Sequence, residues 1–384
     1  MNINRLPPPP SAVINLVKKP RSSNLELYRI VSMLMIVAHH YVVNSGLFAA
    51  GGPMVSNPTS VNSLYLSIFG AWGKVGINCF LMITGYFMCI SNISVRKFIK
   101  LLLQIYLYKL LLFPLLLIAG YESFSLIRLI KLLMPVWSFG TVNFISCFIA
   151  FWLTIPFLNI LIRGLNKRQH FLLILLSLCF FTVFGSIPKI EVPLNYITWF
   201  GIIYFIASYF RLYPQPIFER RKLWGVLTLL IILLSIASIV IVQILKGSEY
   251  SYFFVRDCNK IFAVAFAVCS FLWFKNLNIG YNKVINAFGA GTFGVLLIHA
   301  NSGVRPWLWK DLVDCVGHYA MPLGELILYS VGVVLSIFVV CNLVDQLRIN
   351  TLEKWFFNWY DNKYADRAEA FVGRIINGKQ KANL

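Results

Sequence analysis

Apolar runs of bilayer length recur along this chain from one end to the other. They stand at Leu25–Asn44, Leu64–Ile90, Phe98–Ala119, Val142–Ile162, Phe171–Ile187, Leu194–Tyr213, Trp224–Leu245, Phe253–Phe274, Val284–Asn301 and Leu323–Val344. A helix of about 18 to 25 such residues crosses the hydrocarbon of a membrane. The expected fold is therefore all-α, a polytopic transmembrane helical bundle of about ten spans. Composition agrees, since apolar residues make up 59%, charged residues 12%, and mean hydropathy is +0.74. A soluble domain carries about 25% charged residues. The segment from Phe124 to Pro135 is shorter and carries Arg128 and Lys131 on an otherwise apolar helix, so it reads as interfacial or re-entrant.

Lys and Arg set the orientation. With the N-terminus cytoplasmic, the inner segments hold roughly 23 basic residues and the outer loops roughly 7, the positive-inside asymmetry. Both termini then face the cytoplasm, at a cell membrane. The inner clusters are Lys18, Lys19 and Arg21; Arg96, Lys97 and Lys100; Arg163, Lys167 and Arg168; Arg220, Arg221 and Lys222; and the tail after Arg348. The net charge of +20 follows from this rule and from attraction to anionic membrane lipids, and no nucleic-acid partner is expected. Residues 1–23, with Pro7 to Pro10, read as a disordered basic cytoplasmic tail, 24–346 as the transmembrane domain, and 347–384 as a cytoplasmic amphipathic tail with Trp355, Phe356, Trp359 and Tyr360. Ala49, Ala50 and Gly51 resemble a signal-cleavage site, but the length before them and the His39–His40 interruption favour a signal anchor.

Eight cysteines are scattered singly with no CxxC pair, so neither a disulfide framework nor a metal site is indicated. Adjacent His39 and His40 point to different helix faces, which makes them poor co-ligands. No Gly-rich phosphate loop supports a nucleotide-driven pump.

Ionisable groups inside apolar runs carry a solvation cost and are functional candidates. Arg29 and His40 lie eleven residues apart, which on a helix is about 1100°, three turns plus about 20°, with a rise of about 16 Å. They share one face with Met33, Ile36 and Asn44, while His39 falls off it by roughly 80°. The competing reading is a snorkelling Arg and a packing His. Lys109 and Lys260 are further intramembrane ammonium candidates, with Asp257 placed to pair with Lys260. His299 ends an apolar run near the outer surface, followed by Asn301, Ser302 and Arg305. It reads as a helix-capping group or as part of a substrate cavity.

Three segments carry a family resemblance. The stretch Asn24-Leu-Glu-Leu-Tyr-Arg-Ile, running on to His39-His40, resembles the first transmembrane helix of the acyltransferase-3 family, where a basic residue precedes a His. Arg29 and His40 match that pair. Gly73-Lys-Val-Gly-Ile-Asn-Cys-Phe-Leu-Met-Ile-Thr-Gly-Tyr-Phe is similar to the family's second-helix segment, with Thr84 where a Ser is usual. Phe288-Gly-Ala-Gly-Thr-Phe-Gly-Val-Leu-Leu-Ile-His299 resembles the late-helix segment ending in Leu-Ile-His of polysaccharide-modifying members. At the start of the third helix, where the family carries an Arg-x-x-Arg pair proposed to hold CoA phosphates, this chain has Lys97-Phe-Ile-Lys100 with Arg96 beside it. Lysines supply charge there without the bidentate fork.

The resemblance implies an integral membrane O-acyltransferase that takes an acyl group, acetyl in the first instance, from acyl-CoA to a hydroxyl of a surface polysaccharide or its lipid-linked precursor. On that reading His40 is the general base and Arg29 orients the donor or the site's electrostatics. Lys97, Lys100 and Arg96 attract the CoA phosphates, and Asn44 and His299 line the acceptor cavity. Acyl-CoA is a donor substrate, and no permanently bound cofactor or metal is expected. Asn44, one turn beyond His40, is a geometric candidate for orienting it. The rival is a glycan or lipid-glycan transporter, which also needs many spans and a polar stripe. A polysaccharide polymerase would be expected to carry a larger outer loop.

Overall fold

A computed structural model describes residues 22–91, 94–134 and 143–377. All its regular elements are helical, with no strand among the described residues. The expected N-terminal tail, apart from residues 22 and 23, lies outside them, as does the end of the segment expected to be re-entrant.

The main helices are α1 (Ser23–Val43), α2 (Val61–Gly70), α3 (Gly73–Met88), α4 (Val95–Ile118), α5 (Leu126–Leu133), α6 (Phe144–Gly164), α7 (Lys167–Leu178), α8 (Tyr196–Leu212), α9 (Arg221–Lys246), α10 (Ile261–Lys275), α11 (Lys283–His299), α12 (Leu323–Arg348), α13 (Lys354–Lys363) and α14 (Ala365–Asn377). Side-chain caps mark many of their starts, because the first turn of a helix has backbone N–H groups with no intrahelical acceptor. Ser60, Ser94, Ser125, Asn143, Asn195 and Asn282 each accept from such an N–H, and Asn166 with Gln169 forms a reciprocal capping box at α7.

Helix α1 occupies the middle of the bundle, packed against α2, α3, α11 and α12. Its polar residues are solvated by neighbouring helices. Ser23 Oγ donates to Asn286 Oδ1 at 3.0 Å, Asn24 Nδ2 to the Lys275 carbonyl at 2.7 Å, and Tyr28 lies 2.7 Å from Ser270 Oγ. One large core joins α3, α6, α8 and α10 around Trp199, Phe200, Phe151 and Phe271, and a second joins α1 to α11 and α12 around Met33, Tyr41, Trp309 and Phe338.

Six helical stretches among the described residues are long and apolar enough to cross a membrane: Val61–Met88, Val95–Ile118, Phe144–Gly164, Lys167–Ser186, Arg221–Lys246 and Leu323–Lys363. Lys283–His299 with Val304–Ala320, bent by 93°, makes a seventh if counted as one span. Length and composition alone therefore support six or seven of the ten spans expected, and two physical features account for the others. Helices α8 and α10 hold only 17 and 15 residues. Trp199, Phe200, Tyr204, Ala263, Phe271 and Leu272 bury them in protein, so lipid thickness does not set their length. Helix α1 has the length, at 21 residues, but Glu26, Arg29, His39 and His40 interrupt its apolar character.

The run read as Phe253–Phe274 is helical only from Ile261. Before it, tight turns are held by Asn259 Nδ2 donating to the Phe181 carbonyl at 2.9 Å and by Lys260 Nζ donating to that of Gly185. Lys260 sits 4.7 Å from the centre of the Phe253 ring, with Asp257 near enough to act on its charge but not in the close ion pair expected. Beyond Arg348, the chain passes through a wide turn (Ile349–Glu353) into α13 and α14, which return to the base of α4. Phe357 and Tyr360 are buried there, while Trp355 and Trp359 are exposed.

Candidate active site

Where α1 meets the middle of α4 and the ends of α3, α6, α8 and α11 the bundle forms a partly open cavity of about 650 Å³. Met33, Ile36, His40 and Asn44 of the α1 stripe all line it. Arg29, one step further along that face, stands behind the wall. Its guanidinium lies over the ring of Phe80, a cavity residue, at 5.9 Å and pairs with Glu26 at 3.6 Å.

His40 is not alone. Its Nδ1 lies 3.0 Å from Nε2 of His299, and His299 Nδ1 lies 2.6 Å from the carbonyl of Val295 one helical turn back. These contacts fix the tautomers. A carbonyl only accepts, so His299 carries its proton on Nδ1, and its neutral ring presents the Nε2 lone pair. His40 must then donate from Nδ1. The Nε2 atom of His40 is left unprotonated, the state a proton acceptor requires. His299 is fully buried and stands behind His40, not on the lining of this cavity as expected, with a separate apolar cavity of about 660 Å³ on its other side. The partner of His40 is therefore His299, and Asn44 does not fill that role. Asn44 Nδ2 lines the cavity as a buried donor with no hydrogen-bond partner.

His39 lies closer to the site than its helical angle suggests. Nδ1 is 2.5 Å from the Gly70 carbonyl, which ties the ring to the α2–α3 junction, yet the side chain also forms part of the cavity wall. Gly73 makes room for it, because a Cβ there would stand 2.3 Å from the imidazole. Lys74, unmarked in the sequence reading, reaches the cavity with Nζ on the Tyr196 hydroxyl at 2.5 Å. Lys109 and Arg305 line it too.

Below the cavity, a buried polar chain runs along α4 and α12. Asp345, with no exposed surface, accepts from Tyr108 Oη at 2.7 Å, Gln104 Nε2 at 3.2 Å and Arg348 Nε at 2.7 Å. Arg348 Nη1 donates in turn to Glu353 at 2.5 Å, and Glu353 pairs with Lys100. Tyr108 is itself a cavity residue, so this network connects the cavity to the base of α4. The sequence reading missed it, although an Asp directly after the apolar run ending at Val344 was a visible signal.

The three basic residues expected to hold CoA phosphates lie at that base, away from the cavity lining. Arg96 makes a fork with Asp361, at 2.9 and 3.0 Å, and lies 4.3 Å from the centre of the Phe357 ring. Lys100 is held by Glu353, and Lys97 is exposed. Among the described residues no group of three or more His, Cys, Asp or Glu could hold a metal ion.

No curated protein and no solved structure matches the chain. Residues 22–343, which include the whole cavity and both histidines of the pair, match the family model described as an acyltransferase domain, and the chain therefore belongs to the acyltransferase-3 family of membrane acyltransferases.

Proposed function

We propose that this acyltransferase moves an acetyl group from acetyl-CoA to a hydroxyl of a surface polysaccharide, or of its lipid-linked precursor, with His40 as general base. The observation that carries this reading is the contact between His40 and His299, which leaves His40 Nε2 free to accept a proton inside a cavity large enough for a sugar.

A sugar hydroxyl is a weak nucleophile at neutral pH. As its oxygen attacks the thioester carbonyl, the proton passes to His40 Nε2. The resulting imidazolium keeps its Nδ1–H on His299 Nε2, now as a charge-assisted hydrogen bond. Collapse of the tetrahedral intermediate breaks the C–S bond, and the CoA sulfur takes the proton back from Nε2. Ester and free thiol leave with atoms and charge balanced. Asn44 Nδ2 is a donor available to the carbonyl oxygen as it gains charge.

The donor approaches from the cytoplasmic face, its phosphates attracted by Lys97, Lys100 and Arg96. Its pantetheine arm follows the Arg29 face, a rise of about 16 Å, to His40. Arg96 and Lys100 exchange their carboxylate partners Asp361 and Glu353 for phosphate on binding.

Transfer of labelled acetyl from acetyl-CoA to a polysaccharide acceptor by the purified protein tests the reading. His40→Ala is expected to lose about 100-fold to 10,000-fold in rate with insertion unchanged. His39→Ala keeps most activity, because its Nδ1 is committed to the Gly70 carbonyl. An active His40→Ala beside an inactive His39→Ala, at equal protein level, overturns the assignment.

A further inference from the structure

The cavity around His40 is strongly cationic. Lys74, Lys109 and Arg305 line it with no Asp or Glu among its lining residues. Arg305 Nε is buried without a hydrogen-bond partner, and Lys109 forms no ion pair among the described residues. A second cavity of about 430 Å³ adjoins it through the shared Lys109, Asn301 and Ser302, and adds Arg128 and Lys131 against one carboxylate, Glu122, which is paired with Arg128. Lys74, Lys109 and Arg305 thus stand along one groove whose lining holds a single acid, Glu122, already paired with Arg128.

Placement sharpens the point. Lys109 lies on the same helix as the basic cluster at Arg96 and Lys100 but about 14 Å or more further along it, and Arg128, Lys131 and Arg305 lie beyond that. The positive-inside asymmetry explains basic residues at the base of α4 and leaves these unexplained. Half-buried cations are costly unless a partner offsets them. A neutral sugar would leave Lys109 and Arg305 without one.

We infer that the acceptor is anionic: the groove binds a glycan that carries a carboxylate or phosphate beside the hydroxyl to be acylated, with Lys109 and Arg305 holding that group. The inference rests on reading the cavity as the acceptor site. It is tested by binding, so that its failure is distinct from a failure of acyl transfer.

Saturation-transfer NMR on the full chain in zwitterionic nanodiscs compares methyl glucuronide with methyl glucoside, with inorganic phosphate as competitor. The glucuronide is expected to bind at least about tenfold more tightly than the glucoside, and added salt to weaken it. Lys109→Gln and Arg305→Gln each lose about tenfold or more of that affinity, one charge-assisted hydrogen bond's worth, while Lys109→Arg retains it. Displacement by phosphate without a glucuronide preference assigns the anion to a phosphorylated glycan or a lipid-linked phosphate. Displacement together with the preference supports a carboxylate-bearing one. Equal affinity for glucuronide and glucoside with no phosphate competition overturns the inference, as does anion binding that both Gln variants leave intact. The glucuronide-to-glucoside ratio and its salt dependence decide the matter in the unmodified protein even where a variant does not fold.

Discussion

Removing His299 is the sharpest perturbation of the proposed chemistry, because that residue touches the base and not the expected path of the donor. In the ground state the bond from His40 Nδ1 to His299 Nε2, at 3.0 Å, joins two neutral rings. A neutral hydrogen bond contributes about 0.5–1.5 kcal/mol net, and one to a charged group about 1.5–3. Protonation of His40 in the transition state moves the contact from the first class to the second. The differential loss in His299→Ala is thus about 1–2 kcal/mol, or roughly 5-fold to 30-fold in kcat. Freedom of His40 to adopt the other tautomer adds to it. Neither substrate touches His299 in this reading, so KM for acyl-CoA stays near its original value. His299→Gln, whose side-chain oxygen can accept from Nδ1, should recover part of the loss. The double variant with His40→Ala should be no slower than His40→Ala alone, because a positioning residue has nothing left to position. Steady-state rates of CoA release on detergent-purified protein measure all four. Wild-type kcat in His299→Ala, or strictly multiplicative losses in the double variant, would refute the pairing argument.

Asp345→Ala leaves Arg348, 5% exposed, with Glu353 as its remaining acid partner and removes the buried acceptor of Tyr108 and Gln104, and should destabilise the protein by about 1–3 kcal/mol, read as a drop in the thermal unfolding midpoint in detergent. Gly294→Ala is expected to reproduce part of that drop, since its Cβ would stand 2.1 Å from the Asp345 carboxyl carbon; an unchanged midpoint in both refutes a structural role for the network. Lys97→Ala combined with Lys100→Ala should raise KM for acyl-CoA more than it lowers kcat, by an amount that shrinks with added salt, and an unchanged KM at low salt removes the pair from the donor site. A tag at the C-terminus should be shielded from impermeant reagents in intact cells, and labelling without permeabilisation reverses the proposed orientation.

Helical periodicity made the α1 wall legible before any coordinates. Met33, Ile36, His40 and Asn44 share an azimuth on any α-helix, and that azimuth is the one facing the cavity. Apolar runs likewise announced a helical membrane protein, because local composition decides whether a segment can dissolve in lipid. The number of spans was legible only in part, six or seven of the ten meeting the test of length and composition in the folded chain. Hydropathy assumes that lipid surrounds each apolar helix, whereas α8 and α10 are surrounded by protein and can be short. The residue that holds His40 was out of reach for a related reason. Asn44, one turn onward, was the one candidate that helix geometry offered, and only the packing of α11 against α1, 259 residues apart in sequence at this contact, brings Nε2 of His299 to Nδ1 of His40. Lys74, Lys109 and Arg305 converge in the same way from α3, α4 and the bend after α11. A chain's local pattern fixes which face of each helix is polar; which polar faces meet depends on how side chains from distant helices interlock, and that is decided in three dimensions.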